Sequence, residues 1–372
     1  MTAIDDTVWM ARAIALARKG LYTTDPNPRV GCVIVRDGAN VGEGFHQRAG
    51  EPHAEIYALQ TAGELARGAT VYVSLEPCAH HGRTPPCADA LIEAGVTRVV
   101  LGAPDPNPRV AGQGIERLRA AGIEVTRGVL EQQATALNPG FNRRMLTGLP
   151  WVRVKLAMSL DGRTAMASGE SRWITGESAR RDAHRLRAMA SAILTGSATV
   201  LADDPELNVR LDPEALGIEG EVRQPLRVVL DSALRIDPGR RLLTSSGGQV
   251  LVMTTSEDDA HRQALEKAGA EVTAVPGEAG HIALEPALRL LGDREVNEVL
   301  VEAGPTLCGA LLEAGLVNEV VIYMAPHLMG DRARGLVTLP SLERMAQRIA
   351  LRIDDIRAVG EDWRISGRVE SE

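Results

Sequence analysis

Short apolar runs with strand character alternate with helical stretches along nearly the whole chain, and this alternation restricts the fold to layered α/β architectures. In the first third, the periodicity predicts a helix over 6–19, the strand VGCVIV, a turn at RDGAN and a returning strand near VGEGF, so a hairpin follows the helix. Next come a helix from about Ala54 to Ala66, the strand TVYVSL, a helix from about Cys87 to Ala94, the strand RVVLGA, a helix near Gly114 to Ala121 and the short strand EVT. The pattern breaks once. From Asn138 to Pro150 the run NPGFNRRMLTGLP loses periodicity and collects turn formers, which marks a domain boundary. A second α/β pattern follows, with strands VRVKLAMS, SAILTG, PLRVVLDS, QVLVMTT, AEVTAVP, EVLVEAG and NEVVIYMAP and helices near 177–189, 257–268, 282–291 and 306–314. RISGRVE reads as a last edge strand. A chain of 372 residues is too long to grow around one core, so two domains, 1–148 and 149–372, are expected.

Composition narrows the partners. The formal charge is -8 and no long basic run occurs, which leaves no electrostatic footprint for nucleic acid. Aromatic residues make up only 3%, so the cores must be aliphatic and little is available for stacking bases. No apolar run approaches the roughly 18 residues of a membrane span, so no membrane partner is expected. MTAIDDTVWMARAIALARKG is an amphipathic helix with Asp5 and Asp6 at its start, Arg18 and Lys19 in its last turn and Gly20 as its stop, and is no secretion signal. Four unevenly spaced cysteines give no disulfide framework and point to a reducing cytoplasm.

The hexapeptide DPNPRV occurs at Asp25 to Val30 and again at Asp105 to Val110. Its prolines make each copy a stiff loop presenting Asn27 or Asn107 at a sheet edge. Shared turn chemistry is the plainer explanation of the repetition.

Soft metal ligands stand in PHAE and EPCAHHGRTPPC: His53, Cys78 and Cys87. A lone histidine or cysteine is more often a packed structural residue. Here His53 opens a helix two residues before Glu55, Cys78 follows a strand and Cys87 starts the next helix, so the three would converge at one end of the sheet. Three protein ligands leave a fourth zinc position for water, the mark of a catalytic site. Zinc deaminases carry H-x-E followed by P-C-x-x-C. This chain departs from that spacing, and a loop stiffened by Pro85 and Pro86 must return the second cysteine.

The chemistry explains the residue types. Zinc lowers the pKa of water from about 15.7 to about 7, worth at most about 12 kcal/mol, and two thiolates blunt that gain, so a neighbouring base is needed. Glu55 is placed to take the proton and deliver it to the ring nitrogen and the departing ammonia. On its own it would be an ordinary first-turn carboxylate. Residues two apart on a helix point about 200° apart, so His53 must sit at the cap, outside helical dihedrals. The adjacent His80 and His81 are expected to line the substrate pocket or the loop surface.

TTDPNPRVGCVIV, GEGFH, PHAE and EPCAHHGRTPPC resemble the deaminase domain of the bifunctional riboflavin-biosynthesis deaminase–reductases, within the cytidine deaminase-like superfamily. The resemblance implies a three-layer α/β/α fold, His53, Cys78 and Cys87 as zinc ligands, Glu55 as proton shuttle, and Asn27 and His46 against the pyrimidine.

Downstream, KLAMSLDGRTA, SGESRWIT, SATVLADDPELNVR and VEAGPTLCGALL contain no nucleophile, metal cluster or triad. Gly304, Pro305 and Thr306 follow a strand and open a helix whose free N–H groups can hold a phosphate, although GPTLCG is no dinucleotide fingerprint and a plain strand-to-helix turn reads as well. Arg187 and Arg210 carry guanidinium forks suited to a phosphate monoester and, with Ser171, would form an anionic clamp; each alone reads as a solvated surface residue.

These motifs are similar to the reductase domain of the same family, an α/β domain with a dihydrofolate reductase-like fold that uses NADPH, so the resemblance spans nearly the whole chain. It implies that Ala157, Trp173, Thr199, Asp203, Ser232 and the segment Gly304, Pro305, Thr306, Leu307, Cys308, Gly309 and Ala310 border the cofactor, and that Ser171, Arg187, Leu207, Arg210 and Glu302 border the sugar phosphate. Lys155 and Asp161 lie in the matched strand and turn, with Asp161 shaping the turn rather than moving protons.

The expectation is therefore an enzyme with a zinc-dependent pyrimidine deaminase domain over 1–148 and an NADPH-dependent reductase domain over 149–372. Its substrate would be a phosphoribosylated pyrimidine, and it would assemble as a homo-oligomer, dimer or tetramer. A zinc deaminase of another nucleobase or nucleoside fused to a nucleotide-binding domain, or a structural-zinc interaction module, are the competing readings.

Overall fold

The computed structural model describes residues 3–79, 86–108 and 110–370. It divides into two compact units, Met1–Gly148 and Leu149–Glu372.

Among the described residues, the first unit is built on strands β1 (Gly31–Arg36), β2 (Ala39–Phe45), β3 (Thr70–Leu75), β4 (Arg98–Ala103) and β5 (Glu124–Thr126), in the order β2-β1-β3-β4-β5. β1 pairs antiparallel with both β2 and β3, whereas β3, β4 and β5 run parallel. Alternation along β1 sends Cys32 and Ile34 to one face and Val33 and Val35 to the other. The first face packs against helices α2 (Ala54–Ala62), α3 (Cys87–Glu93) and α4 (Gln113–Ala120), and the second against α1 (Ala3–Ala17), giving three layers.

Three local readings need correction. The helix expected over 6–19 starts at Ala3, and Asp6 serves as more than a dipole partner: its carboxylate accepts from both terminal nitrogens of Arg98 at 2.8 Å and from the Tyr72 hydroxyl at 2.9 Å. The expected linker over Asn138 to Pro150 contains helix α5 (Pro139–Thr147). Pro139 occupies the first turn, where no N–H is needed, and Gly148 closes the helix at φ 73, so the residues that read as turn formers are its caps. RISGRVE is not at the sheet edge, as the second unit shows.

That unit carries strands β6 (Trp151–Ser159), β7 (Ala192–Gly196), β8 (Leu226–Leu230), β9 (Val250–Thr254), β10 (Ala270–Ala274), β11 (Glu298–Val301), β12 (Glu319–Ala325), β13 (Leu351–Val359) and β14 (Asp362–Val369). They form one nine-stranded sheet in the order β10-β9-β8-β7-β11-β6-β12-β14-β13. The seven strands from β10 to β12 run parallel, and the inner strands β7, β8, β9 and β11 are almost wholly buried; β14 and β13 close the sheet antiparallel. One face packs on α9 (Leu284–Asp293) and α10 (Pro305–Glu313), through Leu288, Leu291 and Leu311; the other packs on α6 (Glu177–Met189) and α8 (Asp259–Lys267), through Leu186 and Leu265. The true edge strand β13 escapes a periodicity reading because almost every residue in it is exposed, so nothing imposes an alternation. No helix among the described residues is long and apolar enough to cross a membrane.

Candidate functional site

In the first unit the three soft ligands converge. The donor atoms of His53, Cys78 and Cys87 all lie within 4.8 Å of one another, with His53 Nδ1 3.2 Å from Cys87 Sγ and 3.6 Å from Cys78 Sγ. His53 is the N-cap of α2 at φ -75 and ψ 166, the extended geometry needed for it and Glu55 to face one point. Cys78 lies beyond the end of β3, and Cys87 is the first residue of α3. The Cys87 amide donates to Cys78 Sγ at 3.3 Å and the Ala88 amide to the Cys78 carbonyl at 3.2 Å, so the helix start holds the strap that carries the other thiol. His80, His81 and Pro85 lie outside the described residues.

Electrostatics prepare this cluster for a cation. A hydrogen bond from Cys87, opposed by burial and reinforced by His53, holds the Cys78 thiol well below the usual thiol range. Cys87, as donor in that bond and buried, is pushed up. Both cysteines are free thiols. Glu55 is buried, and its Oε2 has no hydrogen-bond partner among the described residues. Burial raises its carboxyl to about 7, with the charge of His53 pulling the other way. A buried carboxylate oxygen left open beside an imidazole and two sulfurs fits a zinc ion and its water.

His46 and Asn27 form a second tier. His46 Nδ1 lies 3.0 Å from the Pro52 carbonyl, which can only accept, so this nitrogen carries the proton and Nε2 accepts from Asn27 Nδ2 at 3.0 Å. The His46 ring meets that of His53 edge-on at 5.4 Å.

In the second unit the polar residues gather near α6. Arg187 grips Glu302 through two bonds, Nε to Oε1 at 2.6 Å and Nη2 to Oε2 at 2.9 Å, and donates to the Asn208 carbonyl at 3.0 Å. Burial alone would raise Glu302, but Arg187 and then Lys155 hold it at about 2. Burial lowers Lys155. Arg210 is more exposed, with contacts of 3.3 Å to Glu206 and 3.4 Å to Asn208, and its amide donates to His184 Nδ1 at 3.2 Å. His184 and Asn208 were not singled out from sequence, where a helical histidine and a loop asparagine carry no signal of their own.

The remaining positions are spread over strand ends and loops. Ala157 lies on β6 opposite Tyr323, and Thr199 and Asp203 lie on helix α7 (Ser197–Asp203). Trp173 is 70% exposed beneath the Arg180 guanidinium, which is 4.4 Å from its ring centroid; neighbouring Arg172 donates to the Asp203 carbonyl. Ser171 is in the same segment. Ser232 follows β8 and accepts the Ile282 amide at 3.2 Å. Gly304 is the N-cap of α10, whose first turn runs from Pro305 through Thr306 and Leu307. Cys308 turns into the core, and a side chain on Gly309 would meet the Thr338 carbonyl at 1.8 Å, so neither position presents a side chain at the surface. Leu207, at φ 52, also buries its side chain. Asp161 accepts the Ser159 hydroxyl and the amides of Met329 and Gly330, which ties the turn after β6 to the segment at 329–330.

An α/β/α unit with an H-x-E helix start and two cysteines gathered beside it at one sheet end has the build of a zinc-dependent deaminase, and a predominantly parallel α/β unit follows it. Residues 4–103 match the cytidine and deoxycytidylate deaminase zinc-binding region, and residues 150–365 match the RibD C-terminal domain. The riboflavin biosynthesis protein RibD of Escherichia coli is 54% identical over 364 residues, covering 96% of this chain and 98% of that one. The structure of Acinetobacter baumannii RibD superposes with a TM-score of 0.91 at 46% identity over 100% of both chains. A Thermotoga maritima diaminohydroxyphosphoribosylaminopyrimidine deaminase/5-amino-6-(5-phosphoribosylamino)uracil reductase is 35% identical, with a TM-score of 0.84 over 99% of both chains. The chain belongs to the RibD family, the bifunctional deaminase–reductases of riboflavin biosynthesis.

Proposed function

We propose that the first unit hydrolytically deaminates 2,5-diamino-6-(5-phosphoribosylamino)pyrimidin-4(3H)-one with zinc held by His53, Cys78 and Cys87, and that the second reduces the ribosyl group of 5-amino-6-(5-phosphoribosylamino)uracil to ribityl with NADPH. The observation that carries the reading is Glu55, buried beside three potential metal donors with one oxygen that has no partner among the described residues.

Zinc, when bound, supplies the Lewis acidity that makes water a nucleophile near neutral pH. Glu55 would take one proton from water and give it to the ring nitrogen as the C–O bond forms, then take the second from the new hydroxyl and give it to the amino group; the C–N bond breaks, the carbonyl forms and ammonia departs. Asn27, steadied by His46, meets the edge of the pyrimidine.

NADPH, when bound, supplies the hydride for C1 of the ring-opened ribosyl imine. The protein's part is orientation, worth up to roughly 7–11 kcal/mol for well-placed reactants, which is why the unit needs no catalytic triad. Ala157, Trp173, Thr199, Asp203, Ser232 and the Gly304 to Ala310 segment border the cofactor. Ser171, Arg187, Leu207, Arg210 and Glu302 border the sugar phosphate. Within that set Arg187 already has a carboxylate, so Arg210, with longer contacts and a half-exposed side chain, carries the phosphate recognition.

Arg210→Ala is therefore expected to raise the KM for phosphorylated substrate in the reductase assay by about 10- to 100-fold, the worth of charge-assisted hydrogen bonds. NADPH affinity, measured by fluorescence titration, should stay unchanged, and so should ammonia release. Equal damage to NADPH binding would move Arg210 out of the phosphate site.

A further inference from the structure

Glu76 is an acidic residue buried at the end of β3, immediately before the Pro77–Cys78 strap. Its carboxylate accepts four backbone amides: Oε2 takes those of Asp105 at 3.3 Å and Gly112 at 3.1 Å, and Oε1 takes those of Gly114 at 3.0 Å and Ile115 at 3.3 Å. Helix α4 begins on Gly112, a residue at φ 83 that has no side chain to cap it. Glu76 thus supplies from another strand the acceptor that the first turn of α4 lacks. The fit is close from the other side as well, because a Cβ on Gly114 would sit 2.1 Å from the Pro77 carbonyl. The strap that ends in Cys78 is pinned between this carboxylate and α4.

We propose that Glu76 is a positioning residue for the metal centre, acting through Cys78. It fixes the direction in which the Cys78 thiolate leaves the strap, while the Cys87 and Ala88 amides fix the other side of the same residue. Only a carboxylate presents acceptors to all four amides; a glutamine in its place turns an NH2 toward two of them. Outer partners of metal ligands of this kind are worth about 10- to 100-fold in metal affinity. The assignment rests on the zinc reading above.

The test uses the full chain, stripped of metal and titrated with Co²⁺ or with Zn²⁺ against a chromophoric chelator. Glu76→Gln should bind either ion about 10- to 100-fold more weakly than the wild type and show a reduced thiolate-to-cobalt absorption band, with an unchanged far-UV circular dichroism spectrum and full reductase activity. Gly114→Ala, which leaves the carboxylate in place and pushes the Pro77 carbonyl, should reduce the same band. Wild-type affinity and an unaltered cobalt spectrum in Glu76→Gln would overturn the assignment. So would loss of helical signal along with the metal, which would make Glu76 a folding clamp only. Failure of the wild-type chain itself to take up cobalt would sink the zinc reading instead.

Discussion

A chain carrying Glu55→Gln is expected to keep its zinc and lose ammonia release by about two to four orders of magnitude, the range a positioned general acid–base contributes. The glutamine side chain fills the same volume in a site where Glu55 is only 3% exposed, so packing is preserved. The amide can neither take the proton of a water nor return one. The three metal donors are separate side chains and keep their positions, so zinc stoichiometry measured by atomic absorption should match the wild type. Reductase activity, assayed as NADPH oxidation with already deaminated substrate, should not change. Retention of ammonia release above about a tenth of the wild-type rate would remove Glu55 from the proton path.

The second large effect is expected at the Arg187–Glu302 pair. Glu302→Ala should destabilise the reductase unit by about 3–5 kcal/mol, because it strands a guanidinium in a place where both side chains are only 13% exposed. Lys155 makes the loss worse, since it too leans on Glu302. Reduction should vanish, whereas ammonia release should persist. The double variant Arg187→Leu with Glu302→Leu removes both charges and should recover most of the stability in urea unfolding without recovering reduction. Lys155 can shed its proton there, as a guanidinium cannot. Recovery of activity along with stability would reduce the pair to a structural strut.

The reach of the sequence differs between the two sites for a physical reason. At the metal centre the chemistry is written in rare residue types at element boundaries. Two cysteines and a histidine flanked by prolines declare ligands, and the impossibility of pointing His53 and Glu55 the same way on one helix already requires the extended cap that the structure has. The fold class was legible for a similar reason, since strands buried on both faces and helices buried on one leave different periodicities. Glu76 was not legible: its partners are backbone amides 29 to 39 residues away, and an amide has no residue type to recognise. Arg187 and Glu302 are 115 residues apart, so the guanidinium of Arg187 suggested a phosphate clamp with Arg210 and Ser171 while its pairing with Glu302, which largely neutralises it, stayed hidden. Helix α5 was missed because its caps are the same proline and glycine that elsewhere mark loops. Strand β13 was missed because an exposed edge imposes no pattern.

Two chemically separate centres on one chain is the claim on which the rest stands. It is tested most directly by treating the full-length protein with a zinc chelator and following ammonia release from the diaminopyrimidine ribotide and NADPH oxidation with the deaminated ribotide in parallel. The account predicts that ammonia release disappears, returns on adding Zn²⁺, and leaves NADPH oxidation untouched throughout. Loss of both activities together, or ammonia release that survives complete removal of the metal, would contradict it.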